Sequence, residues 1–375
     1  LKADDIRPNI HKILNAMYDN VPCGVGSSEA IKNLSDADMR KVCMEGAGWA
    51  VDHGFGREND LDRTEERGAM PGASPDPISS RAMDRGRKQV GTLGSGNHFL
   101  ELDEVDETFD DNIARTLGVE PGNVVLQIHC GSRGFGHQIC SDFLKVMKKA
   151  TSKYDIDLPD KQLCCAPLKS KEGQDYFAAM AAAANYAWAN RQVILSLAVD
   201  ALKRSTGADR DRMGLRQIYD VCHNVAKWEE HEVEGQQRRV CVHRKGATRA
   251  FPPGHEGVPQ VYRQVGQPVL IPGDMGTASY LLIGSQKAMG ETWGSTCHGA
   301  GRLMSRKGAV RKSSGRDVQQ EMAQKGIAVR ARGKRTLSEE IPDAYKDVES
   351  VVSIMHESGI TRKVARLKPM AVMKG

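Results

Sequence analysis

Apolar positions along the chain recur with helical spacing in some stretches and form short strand-like runs in others. Helices are predicted around 10–18 and 36–50, over 173–202 and over 347–359. The stretch 173–202 is the most pronounced helix, because it is rich in Ala and free of Gly and Pro after its first residue. Strands are predicted at 99–102, 124–129, 217–223, 239–242, 269–271 and 371–374. Residues 53–97 are rich in Gly, Pro and Arg, and we expect a long ordered loop there.

The order of these elements indicates the fold class. Helices and strands intermix without a regular βαβ repeat, which favours an α+β fold with mixed sheets over a doubly wound sheet. There is no internal repeat and no flexible linker in the sequence. We therefore expect one large domain over 1–375.

Composition excludes several classes of protein. Of the 375 residues 39% are hydrophobic and 27% charged, a soluble globular balance. No run approaches 18 apolar residues, so no membrane association is expected. The nine cysteines are scattered without a CxxC pair, which predicts free thiols in a cytoplasmic protein and argues against a Cys-rich zinc site.

Charge is unevenly distributed. The net charge of +5 is too small to indicate a nucleic-acid partner by itself. From 302 to 335, however, 11 Lys and Arg stand against two acids, an excess of +9, so the remainder sums to −4. Such a run is either an ordinary solvated face or a surface that contacts a phosphate backbone.

Four histidines occur in similar settings, and three of them follow an apolar or small-residue segment. They are His98, His129, His223 and His298. Each alone could be a structural histidine, and only the fold could bring them together. Neutral imidazoles with few nearby carboxylates suit an ion such as Mn, Zn, Co or Fe. His298, which precedes Gly299 and the basic run, could instead be a nucleophile that forms a phosphoramidate.

Three Gly-rich segments could bind anions through their backbone amides. They are 131–136, 243–254 and 272–282, and in the first of them Arg133 could clamp a phosphate. None matches the P-loop or dinucleotide-binding pattern, and tight turns are the simpler interpretation of each.

Taken in order, these motifs identify a family resemblance. GTLGSGNHFLE, HCGSRGFGH, HNVAKWEEH, HRKGATRA, PGDMGTASY, STCHGAGR and AYKDVESVV resemble the RtcB family of RNA-splicing ligases, as does the ending RKVARLKPMAVMKG. The resemblance covers essentially the whole chain. It implies a GTP- and Mn²⁺-dependent ligase that joins RNA with a 2′,3′-cyclic phosphate or 3′-phosphate to RNA with a 5′-hydroxyl through a guanylyl-histidine intermediate.

The resemblance also implies residue roles. By motif position, His298 matches the guanylylated histidine, and His98, His129 and His223 match ligands of two manganese ions. Arg133 falls where a phosphate-contacting arginine is expected. The positions that match the family's nucleotide-binding residues are Asn97, Phe99, Glu101, Asn224, Pro272, Asp274, Ser279, Ala300, Tyr345 and Lys374. Asp274 departs from the Ser that the family often has.

Substrates and partners implied by the resemblance are tRNA halves or cleaved RNA under repair, and an Archease-type activator.

Two other interpretations use the same residues: a metal-dependent phosphoesterase or nuclease without guanylylation, and a non-catalytic RNA-binding relative. Labelling by GTP in the presence of Mn²⁺ separates the first alternative from the ligase.

The beginning of the sequence carries a further expectation. The chain opens LKADDIRPNI without Met, and the family's D-x-x-C-G motif, with a metal-ligating Asp and a bridging Cys, is not in it. Cys23 lies in a different segment. We expect a truncated sequence that alone binds Mn²⁺ poorly and ligates weakly. Equal ligation by this chain and by one with such a segment restored would contradict the expectation.

Overall fold

The computed structural model describes residues 1–24, 26–28, 30–32 and 34–375. In this part the helices are α1 Ala3–Ile6, α2 Ile10–Asn20, α3 Asp36–Glu45, α4 Ala47–Asp52, α5 Glu58–Leu61, α6 Ser80–Arg87, α7 Asp111–Leu117, α8 Arg133–Lys153, α9 Lys171–Thr206, α10 Gln286–Thr292, α11 Arg306–Lys312, α12 Val318–Gln324, α13 Lys334–Glu339 and α14 Val348–Glu357. The strands are β1 Phe99–Thr108, β2 Val124–His129, β3 Asn224–Val233, β4 Gln236–Lys245, β5 Ala247–Arg249, β6 Pro268–Ile271, β7 Ser279–Gly284, β8 Ser295–Cys297, β9 Ala328–Ala331 and β10 Thr361–Lys374.

The main sheet is built around β10. Its strand order is β2-β1-β10-β7-β6, with antiparallel neighbours throughout, and β9 pairs in parallel with the last residues of β10. The other two sheets are small: β3 pairs with β4 as a hairpin, and β5 pairs with β8. Both faces of the main sheet are covered, because Leu100 and Leu102 pack against α2 and α9 while Val105 and Leu367 pack in a separate core.

Helix α9 is the central helix of the fold. Ser170 caps its start by accepting a hydrogen bond from the Gly173 amide, and Gly207 ends it in the left-handed conformation at φ 73°. Its small Ala side chains allow α3, α4 and α8 to pack closely around it. Consequently α9 is buried over most of its length, including several polar residues.

The α+β prediction is confirmed, as are the helices at 10–18, 173–202 and 347–359 and the strand at 124–129. The predicted strand at 217–223 is wrong, since only Asp220 there forms a bridge, with Thr64. The helix predicted over 36–50 is interrupted at Gly46, whose φ is 56° and where a Cβ atom would lie 1.9 Å from the Gly68 carbonyl oxygen. The region 53–97 contains α5 and α6 besides its loops, and α8 was not predicted at all.

Two further predictions bear on the environment of the chain. All nine cysteines are free thiols. Outside positions 25, 29 and 33, no helix combines the length and the apolar character that crossing a bilayer requires.

Candidate functional site

The four histidines singled out from the sequence lie at the ends of four strands. His98 directly precedes β1, His129 is the last residue of β2, His223 directly precedes β3, and His298 directly follows β8. The pairing of β1 with β2 places Phe99 opposite His129. The fold therefore gathers side chains from distant parts of the chain.

The imidazole rings form one row. The ring centroids of His98 and His129 are 6.1 Å apart, and those of His129 and His223 are 5.3 Å apart. His223 and His298 are stacked at 4.4 Å with an interplanar angle of 30°. We call these four residues the imidazole row.

Hydrogen bonds to carbonyl groups fix which nitrogen of the two outer rings carries a proton. The Nδ1 of His98 lies 2.9 Å from the Leu93 carbonyl oxygen, and the Nδ1 of His298 lies 2.7 Å from the Gly246 carbonyl oxygen. A carbonyl oxygen only accepts hydrogen bonds, so each Nδ1 is the donor. Each Nε2 therefore keeps its lone pair, available for a metal ion or for nucleophilic attack.

Burial keeps the whole row neutral. It lowers the pKa of His98 to about 4, with a further contribution from the Arg133 charge. Burial, followed by the charge of His298, lowers the pKa of His223 to about 4. Burial also lowers the pKa of His129 and of His298. At neutral pH the four imidazoles are therefore unprotonated bases.

The donor set fits a transition-metal ion. The Nε2 atoms of His129 and His223 are 3.2 Å apart. Two nitrogens bound at about 2.1 Å to one tetrahedral or octahedral ion lie about 3.0–3.4 Å apart. In addition, the Nδ1 of His223 is buried without a hydrogen-bond partner. Among the residues that the structure describes, no three His, Cys, Asp or Glu side chains surround a common point, so the row offers pairs of imidazoles.

Polar residues around the row orient it. The Nη1 of Arg133 lies 3.2 Å from the Nδ1 of His98, with no hydrogen bond between them because both nitrogens carry hydrogen, and the Arg133 Nε donates to the Thr92 hydroxyl at 3.2 Å. Asn224 accepts a hydrogen bond from the Gly246 amide at 2.9 Å, next to the carbonyl that holds His298. A chain of hydrogen bonds thus runs from the start of β3 to His298.

A second cluster lies at the end of β10. Lys374 is paired with Phe99 across the sheet, and its Nζ lies 5.2 Å from the Phe99 ring centroid. Burial lowers the pKa of Lys374, and the nearby carboxyl groups of Glu340, Glu101 and Asp274 oppose that change. Burial and then the charge of Asp103 raise the pKa of Glu101. This buried mixture of ammonium and carboxyl groups is suited to hydrogen-bonding a polar heterocycle.

The remaining predicted residues lie beside these clusters, on loops and at the first residue of β7. The Pro272 carbonyl accepts from the Ala300 amide at 3.2 Å, and the Ser279 hydroxyl lies 3.4 Å from the Gly273 amide nitrogen. The Tyr345 hydroxyl contacts Glu340 and accepts from Arg302 at 3.1 Å.

Asp274 is engaged in its own turn. Its carboxylate accepts from the Gly276 amide at 2.8 Å and from the Thr277 hydroxyl at 2.9 Å. In this conformation the side chain stabilises the turn, a local role for the position that departs from the family pattern.

The basic segment 302–335 is partly paired with acids: ion pairs hold five of its 11 Lys and Arg, namely Arg302, Arg306, Lys312, Arg316 and Arg335. Lys312 pairs with Asp343 at 3.1 Å, and Arg316 pairs with Glu321 at 2.6 Å. Arg306 is more available, with 54% of its side chain exposed, and it points toward Asn97 at 3.5 Å. Among the residues that the structure describes, fewer than half of the cations in this segment are therefore in ion pairs.

The sequence analysis missed a polar hub in the middle of α9. Arg191 forms a buried ion pair with Asp220 at 2.6 Å and donates to the Cys130 carbonyl at 2.9 Å. Asn190 accepts from the Gly91 amide at 2.7 Å and donates to the Cys130 sulfur at 3.2 Å. The hub thereby holds segments adjacent to three of the four histidines. The signal was present, because an Asn-Arg-Gln run interrupts an otherwise apolar helix.

A cavity of about 800 Å³ adjoins the imidazole row and Arg191, whereas the other predicted residues do not line it: Glu101, Arg133, Asp274, Ser279, Ala300, Tyr345 and Lys374. Eight of the residues predicted from the sequence line it: Asn97, His98, Phe99, His129, His223, Asn224, Pro272 and His298.

Comparisons with known proteins find relatives along the whole chain. The family model described as "tRNA-splicing ligase RtcB" matches residues 1–375. The chain is 54% identical to the tRNA-splicing ligase RtcB of Archaeoglobus fulgidus, and 51% identical to that of Thermococcus kodakarensis, spanning 78% of each. It is 52% identical to that of Pyrococcus abyssi, of which it spans 41%. All three alignments cover 100% of this chain.

Proposed function

Since the chain belongs to the RtcB family of tRNA-splicing ligases, we propose that it joins RNA ends bearing a 2′,3′-cyclic phosphate or 3′-phosphate to ends bearing a 5′-hydroxyl, using GTP and Mn²⁺. tRNA halves are the proposed substrates. The observation that carries the proposal is the Nε2 of His298, a neutral nitrogen whose lone pair is left free because Nδ1 donates to the Gly246 carbonyl.

In the proposed reaction the Nε2 of His298 attacks the α-phosphorus of GTP. A P–N bond forms, the bond to the β-phosphate oxygen breaks, and pyrophosphate leaves. Water first opens a 2′,3′-cyclic phosphate to the 3′-phosphate by breaking the bond from phosphorus to the 2′-oxygen. GMP then passes from His298 to the RNA 3′-phosphate oxygen, which restores the neutral imidazole. Attack by the 5′-hydroxyl on the activated phosphorus releases GMP and forms the phosphodiester. The hydroxyl proton goes to a base.

The chain's own residues divide the work between the two clusters. Gly246 holds the His298 ring in one tautomer, and Asn224 holds Gly246. Arg133 lies close enough to the imidazole row to bind a phosphate. Near Lys374, the carboxyl group of Glu101 is the proposed acceptor for the guanine edge.

His98, His129 and His223 are the proposed manganese ligands, and the ions would neutralise phosphate charge and polarise the attacked phosphorus. This assignment is supported by the free Nε2 of His98 and by the 3.2 Å separation between the Nε2 atoms of His129 and His223.

A ligation assay tests the proposal. The purified protein is given GTP, Mn²⁺ and RNA pairs that differ only in their ends. Weak joining is expected for a 3′-phosphate with a 5′-hydroxyl, and none for a 3′-hydroxyl with a 5′-phosphate. His298→Ala should abolish joining, whereas His137→Ala, which removes an exposed imidazole on α8, should leave it unchanged. Joining without GTP, or cleavage of RNA in place of joining, would refute the proposal.

A further inference from the structure

One face of the β3–β4 hairpin leads away from the imidazole row. Successive side chains of a strand point to opposite faces, so three cross-strand pairs share this face: Asn224 with Lys245, Ala226 with His243, and Trp228 with Cys241. The first two pairs line the cavity. Asn224 directly follows His223, so the face begins at the candidate site.

Trp228 lies at the outer part of this face. Its side chain is 38% exposed although it is a large apolar group. The Phe177 ring packs against it at 6.2 Å between centroids, and the Arg239 guanidinium lies 5.3 Å from its ring centroid. Four residues of strand place Trp228 about 13 Å from Asn224.

Helix α9 supplies the facing wall. Tyr176 and Met180 are one helical turn apart and both line the cavity. The Met180 sulfur accepts a hydrogen bond from the Ala226 amide at 3.3 Å, which fixes the hairpin to the helix. Tyr176 is 36% exposed and its ring packs on Phe143. The path is thus bordered by two aromatic rings, each with one side supported by another ring.

Charge along the hairpin changes at Trp228. From Asn224 to Trp228 and on the facing residues of β4, all of which the structure describes, this face carries the cation Lys245 and no carboxylate. Arg239 lies beside the indole, one step further along the face, where it stands opposite Glu230. The acidic residues Glu230, Glu232 and Glu234 follow only beyond Trp228, toward the hairpin turn. The part that adjoins the site is therefore aromatic and cationic, a combination that binds single-stranded nucleic acid by stacking and backbone contact.

We propose that this face, with Tyr176 across from it, is a platform for the single-stranded nucleotides next to the reacting RNA end, and that one base stacks on the Trp228 indole. The platform rests on the proposed function, because it takes RNA as the substrate. A span of about 13 Å corresponds to about four nucleotides at a stacked spacing of 3.4 Å, and to fewer in an extended strand. Because every base has a π face, stacking on Trp228 adds affinity with little sequence preference.

Binding of a single-stranded RNA of about ten nucleotides with a 3′-phosphate tests the platform. Trp228→Ala should weaken the affinity by about 5- to 150-fold, the range for losing one stacked base. Trp228→Phe, which keeps an aromatic ring, should restore most of it. Phe109→Ala, which removes an aromatic side chain that is 41% exposed elsewhere, should have no effect. RNA should also quench the fluorescence of the wild-type protein more than that of Trp228→Phe.

Abasic substitution locates the stacked base. Removing one base at a time should cost affinity at a position within about four nucleotides of the 3′-phosphate, and the same substitution should cost nothing in Trp228→Ala. Unchanged RNA affinity of Trp228→Ala would overturn the platform. So would a change in oligomeric state with unchanged RNA affinity, since the face would then contact protein.

Labelling of His298 by GTP, measured in parallel, separates the two proposals. RNA binding that depends on Trp228 without labelling would refute the ligase mechanism and leave the platform standing. Labelling of His298 together with RNA binding that is independent of Trp228 would refute the platform and leave the ligase mechanism standing.

Discussion

Arg191 is predicted to set the spacing of the imidazole row from within α9. Its guanidinium contacts the Asp220 carboxylate at 2.6 Å and the Cys130 carbonyl at 2.9 Å, so it ties the segment after His129 to the segment before His223. Burial raises the pKa of Asp220, but the bonds from Arg191 at 2.6–3.0 Å oppose that change and have the geometry of an ion pair.

The magnitude follows from burial. Arg191→Met leaves the Asp220 carboxylate buried without its partner, which costs about 3–5 kcal/mol. Unfolding a chain of 375 residues has an entropy of about 0.8 kcal/mol/K, so Tm should fall by about 4–6 °C. The double variant Arg191→Met with Asp220→Asn removes both charges and should recover most of that loss.

Activity should not recover with stability. The double variant still lacks the donor to the Cys130 carbonyl, so the rings of His129 and His223 are less well positioned. Misplacement of reacting groups by about 1 Å can cost about 100-fold in rate. We expect GMP transfer at least about 10-fold below wild type at a temperature where both proteins are folded.

The assay compares Tm with the rate of GMP incorporation for the wild type and the three variants, including Asp220→Asn alone. Arg210→Met is the matched control, since it breaks another buried ion pair, with Asp60. The side chain of Arg210 bonds to Asp60 and to the Leu215 carbonyl, and neither residue flanks a histidine of the row. It should lower Tm while leaving the rate in the folded protein near wild type. A double variant that regains both Tm and rate would show that Arg191 contributes only stability.

Two other substitutions test the surroundings of the site. Burial raises the pKa of Glu229, but the hydrogen bond from Arg244 and the nearby Arg charges outweigh it and lower this pKa to about 2. Glu229→Gln should therefore lower the unfolding free energy at pH 7 by about 3 kcal/mol. Because the folded-state pKa lies below the usual 4.5, this difference should persist above pH 4.5 and shrink as pH falls toward 2, as denaturant titrations at several pH values would show. Gly94→Ala should reduce GMP transfer by displacing Arg133, since the new Cβ would lie 1.9 Å from the Arg133 guanidinium. Gly207→Ala is the control: it places a side chain at the same kind of positive φ, with no atom within 4 Å, and should keep the transfer rate.

Strand ends were the most predictable part of the site. Each of the four histidines follows or precedes an apolar or small-residue run, and such residues lie at strand ends in the fold. The apolar run at 124–129 and the Ala-rich stretch 173–202 also located β2 and α9. These features depend on local sequence, which is why they could be inferred from the sequence.

Features that depend on distant contacts could not be predicted. The segment 217–223 has the composition of a strand, but Asp220 and Cys222 are used to contact Arg191. Likewise, the excess charge of 302–335 left open whether the segment is an ordinary solvated face or a phosphate-contacting surface, and it did not indicate that Lys312 and Arg316 both pair with Asp343, outside the segment. The spacing of residues along the sequence does not indicate which distant side chains will pair in the fold.

Mapping the GMP adduct tests the central claim most directly. The protein is incubated with GTP labelled at the α-phosphate and Mn²⁺, denatured and digested, and the labelled peptide is identified by mass spectrometry. One acid-labile adduct on His298 is expected, bonded through Nε2, and label at the γ-phosphate should not be incorporated. An adduct on another residue, or none in a protein that still joins RNA, would contradict the account.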